Sequence, residues 1–162
     1  GRMFNNKQFR LAIIQPILEK LILYSADAEE LLVATMAHES LGGTYIVQRT
    51  NDRPAYYKGG LGIYQMEALT YEDVWRTYSR IPTRYKSMLE ACNVVSKPEA
   101  LEMVGNMTLA TVMARMNYFR AQDPLPSATD INKIWEYYKK YWNCGGKAIK
   151  EDFIDNYHRF IK

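Results

Sequence analysis

The stretch MAHESLGG, residues 36–43, sets His38 and Glu39 side by side just before two glycines. On a helix, Glu39 shares a face with Met36, Thr35 and Leu32, which precede it by three, four and seven positions. A carboxyl group on an apolar face is partly desolvated, and in a helix's last turn it also meets the negative end of the helix dipole. Both effects raise its pKa, and a carboxyl group that titrates near neutrality can serve as a general acid. The competing reading is a solvated glutamate at a frayed helix end, as most exposed carboxylates are. A single residue step turns a helix by about 100°, so His38 points away from Glu39 and reads as a structural neighbour.

Other chemistries find little support. His38 and His158 are the only histidines, and neither a CxxC, an HExxH nor a P-loop is present, so no metal site and no cofactor is expected. Ser40 lacks the context of a nucleophile elbow. Cys92 and Cys144 do not form a ligand spacing and read as free thiols of a chain folded in a reducing cytoplasm, with a bridge left open.

The elements that must position Glu39 are mostly helical. Apolar spacing predicts helices over 7–14 and 17–24, with Pro16 opening the second. Asp27 with Glu30 resembles a capping box for the helix that ends at Gly42 and Gly43. From Leu41 to Leu69 the helical period is lost, and TYIVQ and LGIYQM suggest a loop or small hairpin. Thr70 with Asp73 then starts a helix to about Ser79, and further helices are expected near 84–93, 98–104, 107–121, 130–142 and 149–161. The fold class is therefore mainly α, a helical bundle with a short loop or β-hairpin insertion after Glu39.

The length of 162 residues suits a single domain spanning 1–162, with Gly1-Arg2 ahead of Met3 reading as a vector-derived remnant. PLPSATD at 124–130 is too short to act as a linker between domains. A formal charge of +3 without any basic run permits a polyanionic partner without requiring one. No apolar stretch is long enough to span a bilayer, so membrane insertion is not expected. The 13 tyrosines offer flat rings with polar tips, which suit sugars, bases and polar interfaces.

Four blocks in order carry a family resemblance. HES at 38–40, followed by GIYQMEALT at 62–70, resembles the soluble lytic transglycosylase pattern, in which a Glu-Ser pair precedes G-L-M-Q-x-x-P-x-T. Gly62, Gln65 and Thr70 fall in register, while Ala68 stands where proline is usual. NMTLATVMARMNYF at 106–119 is similar to the family's Asn-led helix. YWNCGG at 141–146 is similar to its A-Y-N-A-G motif, with Asn143 and Gly145 matching and Trp142 in place of tyrosine.

The resemblance to this lysozyme-like group, goose-type lysozymes included, implies an α+β lysozyme-like domain that cleaves peptidoglycan between N-acetylmuramic acid and N-acetylglucosamine. It implies Glu39 as the catalytic acid and base, and a glycan site that takes in Ser40, Gly62, Tyr64, Gln65, Met66, Tyr141, Trp142 and Asn143. Gln65 could pair with a sugar hydroxyl or acetamido group while Tyr64 covers a sugar face. The family tyrosine's hydroxyl is expected from Tyr141 or Tyr138 by a shift of the helix, or is absent. A transglycosylase needs no second carboxylate, whereas an inverting lysozyme needs one about 6.5–9.5 Å away, for which Asp52 and Glu67 are candidates. The partner is then bacterial peptidoglycan, not nucleic acid, and the chain a monomeric phage endolysin or virion-associated enzyme, made in the host cytoplasm and acting on the wall. A silent glycan-binding module of the same fold and a helical nucleic-acid or protein-interaction domain are the rival readings.

Overall fold

A computed structural model describes residues 4–48 and 59–162. The order of elements follows from local chemistry. Asn5 accepts the amide of Gln8 at 3.1 Å and starts α1 (Asn6–Phe9), which continues through a π-helical turn (Arg10–Ile14) into α2 (Gln15–Lys20). The expected break at Pro16 is thus corrected to a widened turn. Proline has no N–H, and its ring clashes with the carbonyl four residues back, so the helix loosens by one residue there and goes on.

Helix α3 (Ala26–Glu39) starts at Ser25, whose hydroxyl accepts the Ala28 amide at 3.0 Å. The expected capping pair is used elsewhere: Asp27 accepts the amide of Ala128 at 2.7 Å, and Glu30 binds Arg10 at 2.7 Å and the Tyr157 hydroxyl at 2.7 Å. From Leu31 to Ala37 every residue of α3 is buried, because α8, α6 and α7 and the π-helical turn all pack on it. The apolar stripe inferred for this helix is in fact a helix buried all round.

After α3 the chain turns through Leu41, Gly42 and Gly43, all with positive φ. Val47 and Leu61, and Leu61 and Met66, form isolated antiparallel bridges, so the expected hairpin is reduced to single bridges, with no strand among the described residues. Then follow α4 (Ala68–Ser79), α5 (Pro82–Cys92), a 3₁₀ turn (Ala100–Val104), α6 (Met107–Phe119), α7 (Ile131–Tyr141) and α8 (Lys150–Ile161). Helix α4 begins before Thr70, with Glu67 in the cap position. Asn106 and Asp130 cap α6 and α7 by accepting the amides of Leu109 at 2.9 Å and Lys133 at 3.1 Å. The chain is mainly helical, and its buried side chains join in one core reaching from Phe9 to Phe160. Cys92 is buried, Cys144 exposed, and neither is bridged. No described helix is long and apolar enough to cross a membrane.

Candidate functional site

Glu39 is the last residue of α3 and sits where two hollows meet. One, of about 570 Å³, is bordered by the turn after α3, by Gly60 and Gln65, and by one side of α8. The other, of about 140 Å³, is bordered by Thr70, Trp142 and Asn143. Glu39, Gln65 and Glu67 border both, so the two make one groove with the Glu39 carboxyl at its junction.

The electrostatics of that carboxyl follow from its surroundings. Burial pushes it up to about 7, the Tyr138 hydroxyl opposes the rise, and the negative charge of Glu67 adds to it. Tyr138 Oη donates to Glu39 Oε2. No described lysine or arginine forms an ion pair with Glu39. The group is therefore near half-protonated at neutral pH, able both to give and to take a proton.

Tyr138 is held from behind. Its ring is buried in α7, 4.6 Å from the ring of Phe153 and 5.6 Å from that of His38, centroid to centroid. Burial and the Glu39 charge keep its hydroxyl protonated far above the usual tyrosine range, so it acts only as a donor to the carboxylate. His38 Nδ1 lies 3.0 Å from Asn156 Nδ2 of α8, and burial lowers its pKa against the opposing pull of Asp152. It is a neutral strut between α3, α7 and α8.

Gln65 has φ of +53°, a strained value for a residue with a side chain, of the kind found where a binding or catalytic group is held in place. Its Nε2 donates to Gly62 O at 2.8 Å, which turns the amide against its own loop. Gly62 donates its amide to Ile46 O at 2.7 Å. Gly60 packs so tightly on Gln65 that an added Cβ would lie 2.8 Å from Gln65 Oε1.

The sequence-derived site residues divide. Glu39, Gln65, Glu67, Met66, Trp142 and Asn143 border the groove. Ser40 does not: it is fully buried, its hydroxyl donating to Met36 O at 3.1 Å and accepting the Gly43 amide at 2.9 Å, which closes the end of α3. Tyr64 is also corrected, because its ring is buried and its hydroxyl meets Thr111 Oγ1 at 3.1 Å. Gly62 acts through its backbone alone. Tyr141 lies with Asp123 and Lys140, its hydroxyl bonded to Asp123, so Tyr138 is the tyrosine that reaches Glu39. Asp52 lies outside the described residues.

Sequence reasoning missed the α8 side of the groove, where Asp152, Asp155, Asn156 and Arg159 border the larger hollow. Their spacing of three, four and seven is a polar stripe beside the apolar face of Phe153, Tyr157 and Phe160, a signal present in the sequence. No group of three or more metal-binding side chains occurs among the described residues. No family model matches the chain, and neither curated proteins nor solved structures yield a match.

Proposed function

We propose that this protein is a peptidoglycan-cleaving glycosidase of lysozyme-like fold, and that Glu39 is its proton donor. The observation that carries the reading is a groove carboxyl raised to about 7, held by a tyrosine hydroxyl and unpaired with any described cation. The motif resemblance names the substrate: β-1,4-linked N-acetylmuramic acid and N-acetylglucosamine.

Protonated Glu39 gives its proton to the glycosidic oxygen as the C1–O bond breaks and positive charge grows on the muramoyl ring. The carboxylate so formed is stabilised by the Tyr138 hydroxyl, whose donated bond strengthens as the negative charge appears. Glu39 then takes a proton from the nucleophile. If that is the muramoyl 6-hydroxyl, a 1,6-anhydro bond forms and no second carboxylate takes part; if it is water, the product is a reducing sugar. Glu67, which borders both hollows, is a described carboxylate available to orient a water. Trp142 supplies an apolar face and an indole N–H on the side where the related motif has tyrosine.

The test is digestion of purified peptidoglycan with the wild-type protein, followed by mass spectrometry of soluble muropeptides. Release of disaccharide-containing fragments is expected, with the anhydro product lighter by one water than the hydrolytic one. Retained binding to insoluble peptidoglycan without any release would instead identify a binding module, and the enzyme reading would fall.

Tyr138→Phe keeps the packed ring and removes the hydroxyl. The bond it removes lowers the Glu39 pKa, so the pKa should climb further in the variant. Activity that needs protonated Glu39 declines as pH rises through that pKa, and the declining limb of kcat/KM should therefore move to higher pH. We expect kcat to fall by roughly 10- to 100-fold at pH 6, where both proteins carry the acid. A limb that stays in place would show that Tyr138 does not act on the acid.

A further inference from the structure

We propose that Arg84 and Arg115, which share the ring of Phe119, form a binding site for a phosphate-class oxyanion. None of Arg84, Arg115 and Phe119 borders the groove around Glu39.

Arg115 of α6 is only 5% exposed, and its Nε and Nη1 are buried without a hydrogen-bond partner. A guanidinium keeps its charge at any physiological pH, so burial without a carboxylate is costly unless something outside the chain supplies the acceptor. The groups whose fields reach it are the Tyr137 and Tyr78 hydroxyls and Arg84, none of them a carboxylate. Its Cζ lies 5.5 Å from the Phe119 centroid, and Arg84 Cζ lies 4.8 Å from the same centroid. Two like charges are thus gathered at one ring.

Neither Arg84 nor Arg115 forms an ion pair with a described carboxylate, and Asp73 of α4 is engaged by Arg120 at 2.6 Å and by Arg76 at 2.8 Å. Arg84 spends one donor on Leu21 O at 3.2 Å, which fixes it beside the turn that carries Ile22. Two forked donors with no carboxylate suit an oxyanion that can accept from both, as phosphate does. Ile22 is 86% exposed and Phe119 is 37% exposed, so a phosphate carried on an apolar body would find partners as well. The chemistry is that of a free phosphate or of a phospholipid headgroup.

The test is thermal unfolding in increasing sodium phosphate against sodium chloride of equal ionic strength, with wild type, Arg84→Gln and Arg115→Met. Arg115→Met removes an uncompensated buried charge and leaves an apolar side chain, so it should fold at least as well as wild type. Wild type should show a saturable rise in Tm with phosphate, and each variant should bind phosphate at least ~10-fold more weakly. Cosedimentation with phosphatidylcholine vesicles, with and without phosphatidylglycerol, separates the sources. Binding only to the anionic vesicles, lost in both variants and without a response to free phosphate, assigns the site to a lipid headgroup. A saturable response to phosphate alone assigns it to the free ion. Equal responses to phosphate and chloride together with no vesicle binding, or responses that both variants retain, overturn the proposal. Glu39→Gln should show the same phosphate-dependent shift in Tm as wild type, measured from its own starting Tm, since the site does not depend on the groove.

Discussion

Glu39→Gln is expected to lower release of muropeptides from purified peptidoglycan by at least ~10³-fold, since the amide has no proton of suitable acidity to give. The same substitution should stabilise the fold in alkaline solution. The Glu39 carboxyl rises from 4.5 to about 7 on folding, so the folded state binds the proton more tightly than the unfolded state does. The stability that comes from this tighter binding is complete below the unfolded pKa of 4.5 and is lost as pH climbs through 7. Across the window the loss amounts to about 3 kcal/mol. The variant has no such titration, while its amide oxygen can still accept from Tyr138.

Denaturant midpoints of the two proteins should therefore be close at pH 4.5 and separate by pH 8, with the variant the more stable. His38 titrates in the opposite sense. Its pKa is lowered by burial, so its stability term is present above the unfolded value and fades as pH falls through the folded one. It is common to both proteins and drops out of the difference. Wild-type-like release of muropeptides in the variant would remove Glu39 as the acid. A stability difference that does not change with pH would show that the carboxyl is not desolvated as described.

Gly62→Ala is expected to destabilise the fold by about 3–5 kcal/mol, a fall in Tm of about 10 °C. Two costs combine. Gly62 has φ of +75°, where a side chain is strained, and an added Cβ would lie 2.3 Å from the carbonyl oxygen of Met103, which is backbone and cannot swing away. The 3₁₀ turn that carries Met103 would have to retreat from the 60–67 segment, breaking the bond from the Gly62 amide to Ile46 O and releasing Gln65 from Gly62 O. Gly105→Ala is the control, because nothing lies within 4 Å of its added Cβ. Calorimetry of the two variants checks this directly: equal melting temperatures would mean that the segment does not rest on the 3₁₀ turn.

The helices and the Glu39 site were legible in the sequence to different degrees. Asn106 caps the helix that it was read to lead, because a cap is a contact within three residues. At α3 and α4 the same local rule pointed to the wrong cap. Asp27 and Glu30 are drawn off by Ala128 and Arg10, partners far away in the chain that no local pattern contains. Tyr141 and Tyr138 are three residues apart on one helix, and the rotation of α7 against α3, set by Phe153 and Trp135 packing behind the ring, decides which hydroxyl meets Glu39. Ser40 and Tyr64 border the motif residues in sequence, yet tight packing turns both inward. The polar stripe of α8 was visible as a pattern, but a pattern does not say what a helix face looks onto.

What the sequence determined by itself is the mainly helical chain, the end of α3 within a turn of Glu39 and the irregular segment that follows, since these depend on periodicity, glycines and caps within one turn of each other. What only the tertiary structure decided is the state of the Glu39 carboxyl. Its pKa depends on how much water the packed helices exclude and on Tyr138 and Glu67, which stand 99 and 28 residues further along the chain and are brought to it only by the tertiary fold.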